Sequence, residues 1–178
     1  MSCIIDAHRH RGCRDSASGV VKFFLANMPD GVVTSADYLT FDTDGHITAL
    51  SGTTTGLTLY EYVPEKTSSM AKEEIGSAIE VGSVTYNQSV EMVFAGISQE
   101  MQNQIKALTS GSFVVITQDK NGNFILFGEN DSMSATGGGL ETGAKSGELS
   151  GYKLTLSSEE GSPAPMVDAA AVADALAS

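Results

Sequence analysis

In the stretch QDKNGN (118–123), Asp119, Asn121 and Asn123 carry side-chain oxygens at alternate positions, the way a calcium loop begins. A loop of the helix–loop–helix type needs oxygen ligands at positions 1, 3 and 5, glycine at 6 and a bidentate glutamate at 12. Counted from Asp119, position 6 is Phe124, position 12 is Asn130, and the flanks FVVIT and FILFG are β-prone. The calcium reading fails on each count, and a turn explains the letters better. Asn121-Gly122 is a favoured type I′ pair, so the sequence predicts a hairpin closed by Lys120 and Asn123. That register sets Ile116 across from Phe127 and Thr117 across from Leu126. One face then carries Val114, Ile116, Ile125 and Phe127, and the other Val115, Phe124 and Leu126. Both are apolar, so the hairpin is covered on two sides.

Three other constellations invite chemistry. Cys3, His8, His10 and Cys13 supply four zinc-type ligands, the basis for a small zinc-stabilised binding module. Structural zinc sites separate two ligand pairs by a longer loop, whereas this set is compressed, and free thiols are the expectation. GGLETGAKS (138–146) approaches a phosphate loop, but Ala144 intrudes between Gly143 and Lys145, and no strand–loop–helix frame surrounds it. A nucleophilic triad needs a Ser or Cys near a His. The histidines are His8 and His10, near the N-terminus, and His46 after a turn, and G-x-S-x-G is absent. The expectation is a non-enzyme with no catalytic residue, cofactor or metal.

The elements that would position any site are mostly strands. GVVKFFLANM (19–28) reads as a strand with Val20 and Phe24 on one face and Val21, Phe23 and Leu25 on the other. Asp44-Gly45 marks a second hairpin, and 57–63 a further strand. Residues 64–82 are polar and weakly patterned, and are expected to form a long exposed loop. In 84–94, Val84, Tyr86, Val90, Met92 and Phe94 alternate with Thr85, Asn87, Ser89 and Glu91, predicting a half-buried strand with one wet face. Ser98 caps a helix over 99–110 whose Met101, Ile105 and Leu108 lie on one stripe, with Gly111 closing it. SMSAT and LSGYKLTLSS predict two more strands around a glycine-rich loop. The domain division is an arm (1–18), a β-sandwich or barrel body with one flanking helix (19–162), and a C-terminal tail (163–178). The tail, alanine-rich and short of apolar anchors, is expected to fray or await a partner.

Charge narrows the function. At 178 residues the chain can build one real core, and its net charge of −12 disfavours a protein that grips nucleic-acid phosphates. No apolar run approaches the roughly 18 residues of a membrane span, and no extended apolar leader opens the chain, so synthesis in the cytoplasm is expected. Arg9, Arg11, Arg14 and Lys22 gather four of the ten basic residues near the N-terminus, against a strongly acidic remainder. A basic arm on an acidic body suits docking between copies, which makes these four residues the candidate assembly interface.

The order of these features, with GCRDSASGV, DKNGNFILFG and GYKLTLSSEEGSPAP as its most specific stretches, resembles virion structural proteins of tailed bacteriophages, most of all the tail tube, or major tail, protein. The resemblance covers roughly residues 12–167. It implies a self-assembling subunit whose hexameric rings stack into a tube, with other virion proteins as partners and DNA only as passing cargo. It implies a lumen strand at 84–94 with Thr85, Asn87, Ser89 and Glu91 facing the channel, and an inter-ring role for 64–82. A head–tail connector, neck or capsid-associated protein is the alternative within that class.

Overall fold

The computed structural model describes residues 19–29, 34–53, 55–64, 69–78, 83–143 and 150–176. The protein is mainly β with helices on its flanks. In chain order the elements are β1 (Val20–Asn27), a 3-10 turn (Ser35–Asp37), β2 (Thr40–Phe41), β3 (Ile47–Ala49), β4 (Tyr60–Tyr62), β5 (Met70–Ala78), β6 (Ser83–Ala95) and α1 (Gln99–Ser110). There follow β7 (Ser112–Asp119), β8 (Phe124–Phe127), β9 (Met133–Glu141), β10 (Gly151–Glu160), β11 (Met166–Val167) and α2 (Ala169–Asp174).

The strands join in the order β2-β3-β11-β8-β7-β9-β10-β6-β5, with β1 on the far edge of β7 and β4 beyond it. The path bends at β7, which meets β9 through only Ser112 and Phe113. Two sections result, β4-β1-β7-β8-β11-β3-β2 and β9-β10-β6-β5. Phe23, Leu25, Val115 and Phe127 of the first share a core with Val90, Met92, Leu154 and Leu156 of the second, so the sections face each other as a sandwich. Leu108 of α1 closes the same core, with Met101 and Ile105 partly buried beside it. Ser98 Oγ accepts from Met101 N at 3.1 Å, the expected cap.

On the other side of β1, β7 and β8 lies a second core built by Phe24, Val114, Ile116 and Leu126 with Tyr38, Leu39, Ile47, Leu59, Val167 and Val172. Two apolar faces on one hairpin are thus covered by two different cores, as the sequence predicted. Its register, however, is one residue away from expectation: Ile116 pairs with Leu126 and Thr117 with Ile125. The loop has three residues. Asp119 N donates to Asn123 O at 3.0 Å, and Gly122 alone takes positive φ, at 86°, whereas type I′ needs positive φ at both central residues. The Asp119 carboxylate decides this by accepting the backbone N–H of Asn121 and Asn123, each at 2.8 Å. The faces therefore group Val114, Ile116, Phe124 and Leu126 on one side and Val115, Ile125 and Phe127 on the other. The β2–β3 turn repeats the arrangement: Asp42 Oδ1 accepts from Asp44 N and His46 N, and Gly45 has φ 84°.

Four further expectations are corrected. In β1 a bulge between Val20 and Lys22 moves Val20 to the side of Phe23 and Leu25, away from Phe24. Within the segment 64–82, read as a loop, Met70–Ala78 is a strand paired with β6 along its whole length. Its polarity misled because it is an edge strand with little to bury. The glycines after Thr136 continue β9 as far as Glu141, since β10 supplies the ladder whatever the side chains. The tail belongs to the body: Val167 pairs with Phe124 of β8 and Ile47 of β3, and Ala171 and Val172 are buried.

Candidate functional site

The section β9-β10-β6-β5 has one face in the core and one largely in solvent, with Val93 buried at the upper end of the second. On β6, Gln88, Val90, Met92 and Phe94 point inward, while Thr85, Asn87, Ser89 and Glu91 lie on the wet side. Their ladder partners extend that side across the section: Lys72 sits across from Ser89, Glu74 from Asn87, and Thr155 and Ser157 from Glu91 and Ser89. Glu91 pairs with Lys153 at 2.9 Å, Lys72 with Glu74 at 2.9 Å, and Ser157 Oγ donates to Thr136 Oγ1 at 3.2 Å. The four residues read as lumen-facing from sequence are thus brought onto one surface. Lys72 and Lys153 stand on this face against four carboxylates, Glu74, Glu91, Glu141 and Glu159, so it is mildly acidic.

This section is open at both ends. Among the described residues the outer edge of β5 has no strand partner, and β9 pairs with β7 only at Ser134 and Met133, with no strand on the rest of its outer edge. The core-facing side carries apolar residues out to both edges. Ile75 (69 % exposed) and Val84 (49 % exposed) lie on the β5–β6 side, and Leu140 (51 % exposed) on β9.

A partly buried polar network anchors the β5–β6 hairpin. Gln88, 2 % exposed, donates to Glu73 Oε2 at 3.1 Å and accepts from Gly128 N at 2.9 Å. Glu73 also accepts from Ala164 N at 2.7 Å. Nearby, Glu160 accepts the N–H groups of Asn130 and Asp131 at 2.9 Å each. Burial pushes its carboxyl above the ordinary range, more than those two bonds lower it. Tyr38, fully buried, donates its hydroxyl to the Glu129 carbonyl, and burial together with Glu129 and Glu160 holds the phenol neutral far above its ordinary value. Sequence reasoning passed over Gln88, although its even position in the β6 alternation marked it as core-facing.

The other candidates separate. Lys22 pairs with Glu61 of the adjacent strand at 2.9 Å, while Arg9, Arg11 and Arg14 lie outside the described residues. So do Cys3, His8, His10 and Cys13; among the described residues no cluster of His, Cys, Asp or Glu is placed to hold a metal. Gly138 and Gly139 belong to a strand, and Lys145 lies outside the described residues. Asp119 spends its carboxylate on its own turn. Desolvation is the largest single influence and raises its pKa, but the bonds from Asn123 and Asn121 together outweigh that and hold it below the usual range. His46 is half exposed, with Nδ1 3.4 Å from Asp168. Among the described residues no helix is long and apolar enough to cross a membrane. The chain matches no protein-family model, no curated protein and no solved structure.

Proposed function

We propose that the protein is a non-enzymatic virion subunit of a tailed bacteriophage that assembles into hexameric rings, stacked into a tail tube through which DNA passes. The observation that carries the reading is the section β9-β10-β6-β5, wet on one face, whose β5 edge and whose β9 edge beyond Ser134 have no strand partner among the described residues. An exposed strand edge is a template for pairing with another chain. Because each strand in the section is antiparallel to the next and there are four, rotation about an axis keeps the alternation unbroken from copy to copy. Edge-to-edge closure then yields a barrel with no free edge in this layer. Thr85, Asn87, Ser89 and Glu91 line its interior. A hydroxyl and amide surface with more carboxylates than cations offers phosphates little to bind, which suits a conduit for DNA.

Negative-stain microscopy of the purified full chain tests this. Six-fold rings or tubes with a central channel are expected. Rings of twelve-fold symmetry would move the reading to a connector, and a monomer at every concentration up to the solubility limit would refute it.

A further inference from the structure

The two open edges differ in shape, and the difference is complementary. On the core-facing side, β5 carries Ile75 as a knob, the most exposed large apolar side chain among the described residues. On the same side of the opposite edge lies a notch of about 350 Å³ between α1 and β9, lined by Ile105, Thr109, Ala135, Gly138, Leu140 and Tyr152. Gly138 faces Leu154 across the ladder, its missing Cβ leaving room for the Lys153 carbonyl of β10, and it forms the rim of the notch on the β9 strand.

Ring closure also requires stagger. Strands in barrels tilt by about 35–45°, which over four strands about 4.8 Å apart corresponds to a slide of roughly four to six residues per copy. Without a slide, Met70 is level with Gly137 through Glu91 and Thr155. Val93 N reaches Ser69 Oγ toward β5 and Gly96 N reaches Ser150 O toward β10. These directions make β9 the right-hand edge when the sheet is viewed from its core face with β6 running upward. The invariant hand of sheet twist then brings residues further along β5 level with a given residue of β9. A slide of about six residues sets Ile75 beside Gly138 and, on the wet face, Lys72 beside Glu141. The apolar knob meets its notch in the register that joins opposite charges.

We infer that in the assembled ring Ile75 of each copy seats in the Gly138 notch of its neighbour, with Lys72 facing the neighbour's Glu141. This rests on the ring reading above and makes the contact heterologous, one edge against a different edge. Directly opposed residues in an antiparallel pair have Cα atoms about 4.5–5.5 Å apart, within reach of a disulfide.

The test uses the full chain carrying Cys3→Ser and Cys13→Ser. One preparation carries Lys72→Cys, another Glu141→Cys, and a third Gly139→Cys as an off-register control. Oxidation of the mixed Lys72→Cys and Glu141→Cys chains is expected to give a disulfide-linked pair, at least tenfold more than either chain alone or the Gly139→Cys mixture. Ile75→Asp, an exposed position, is expected to retain the monomer's circular dichroism and lose the rings. Lys72→Glu or Glu141→Lys should each weaken assembly, and the double reversal should restore it. If the parent chain forms rings while cross-linking stays at background and Ile75→Asp assembles normally, this contact is wrong and the ring reading stands. If the parent chain forms no rings, both fall.

Discussion

Gln88 and Glu73 form a part-buried side-chain pair, the amide Nε2 of the buried Gln88 donating to the carboxylate at 3.1 Å, on an edge hairpin that is otherwise largely exposed. The pair fixes the β5–β6 hairpin to the body through three other segments. Gly128 N donates to the Gln88 oxygen, Ser158 Oγ lies 3.5 Å from it, and Ala164 N donates to Glu73. An edge strand with few apolar contacts thus gains a fixed position from hydrogen bonds. Any partner docking on β5 meets a rigid edge.

Replacing Gln88 by leucine leaves the buried Gly128 N without its acceptor, while Glu73 Oε2 keeps the bond from Ala164 N. One unsatisfied buried N–H costs about 1–3 kcal/mol, so the variant should lose stability on that order. Denaturant unfolding reads the loss, and amide exchange at Gly128 and Ala164 should rise with it. An unchanged midpoint would mean that water replaces the amide at no cost.

Glu160 gives the pH profile an unusual component. Its folded pKa is raised by burial, so the fold favours the protonated acid. The sign follows from linkage: its stabilising contribution is fully present below the unfolded carboxylate pKa and is lost as pH rises through the higher folded value. Wild type should therefore gain stability relative to Glu160→Gln as pH falls from neutral through the carboxylate range. Unfolding midpoints of both proteins across that range give the comparison, and a relative loss for wild type on acidification would show that the two N–H bonds dominate burial.

Asp119 works in the opposite direction. Its pKa is depressed by the four hydrogen bonds from Asn121 and Asn123, two of them from backbone. Its contribution is present above the unfolded carboxylate value and disappears as pH falls through the folded one. Asp119→Ala should cost about 1–2 kcal/mol, by loss of charge-assisted bonds in an exposed turn. Gly122→Ala should cost about 1–2 kcal/mol through its positive φ. Millimolar calcium should leave the melting temperature of wild type unchanged, and a rise of several degrees would restore the ion-binding reading of this loop.

Alternation made the two-sided hairpin and the wet face of β6 legible, because side-chain period is a direct signal of which face is buried. Register was not legible. Whether Asn121-Gly122 forms a two- or three-residue loop depended on a carboxylate two residues earlier, and one residue of shift exchanged the partners of every side chain in β8. Met70–Ala78 and Gly137–Gly139 were invisible for a different reason. Both are held in strands by neighbours' backbone groups, and their own side chains carry no β preference. The assembly surface inherits this limit: Thr85, Asn87, Ser89 and Glu91 could be read as a stripe, whereas the edges on either side required the ladder.

The alanine-rich C-terminal segment should behave as part of the body. A six-residue helix has no stability of its own, since nucleation is costly and isolated helices shorter than about 12 residues are marginal in water. α2 persists because Ala171 and Val172 pack with Leu59 and Ile47, and because Leu59 N donates to Ala175 O at 2.8 Å. Val172→Asp puts an unpaired charge into that core, so the chain should unfold at markedly lower denaturant than wild type, in the range of several kcal/mol for uncompensated burial. Deleting residues 166–178 should be worse, because it also strips the partner strand from Phe124 and Ile47. Thermal melts of the two variants beside wild type decide the matter. A deletion variant that melts with wild type would return the segment to the status of a free tail.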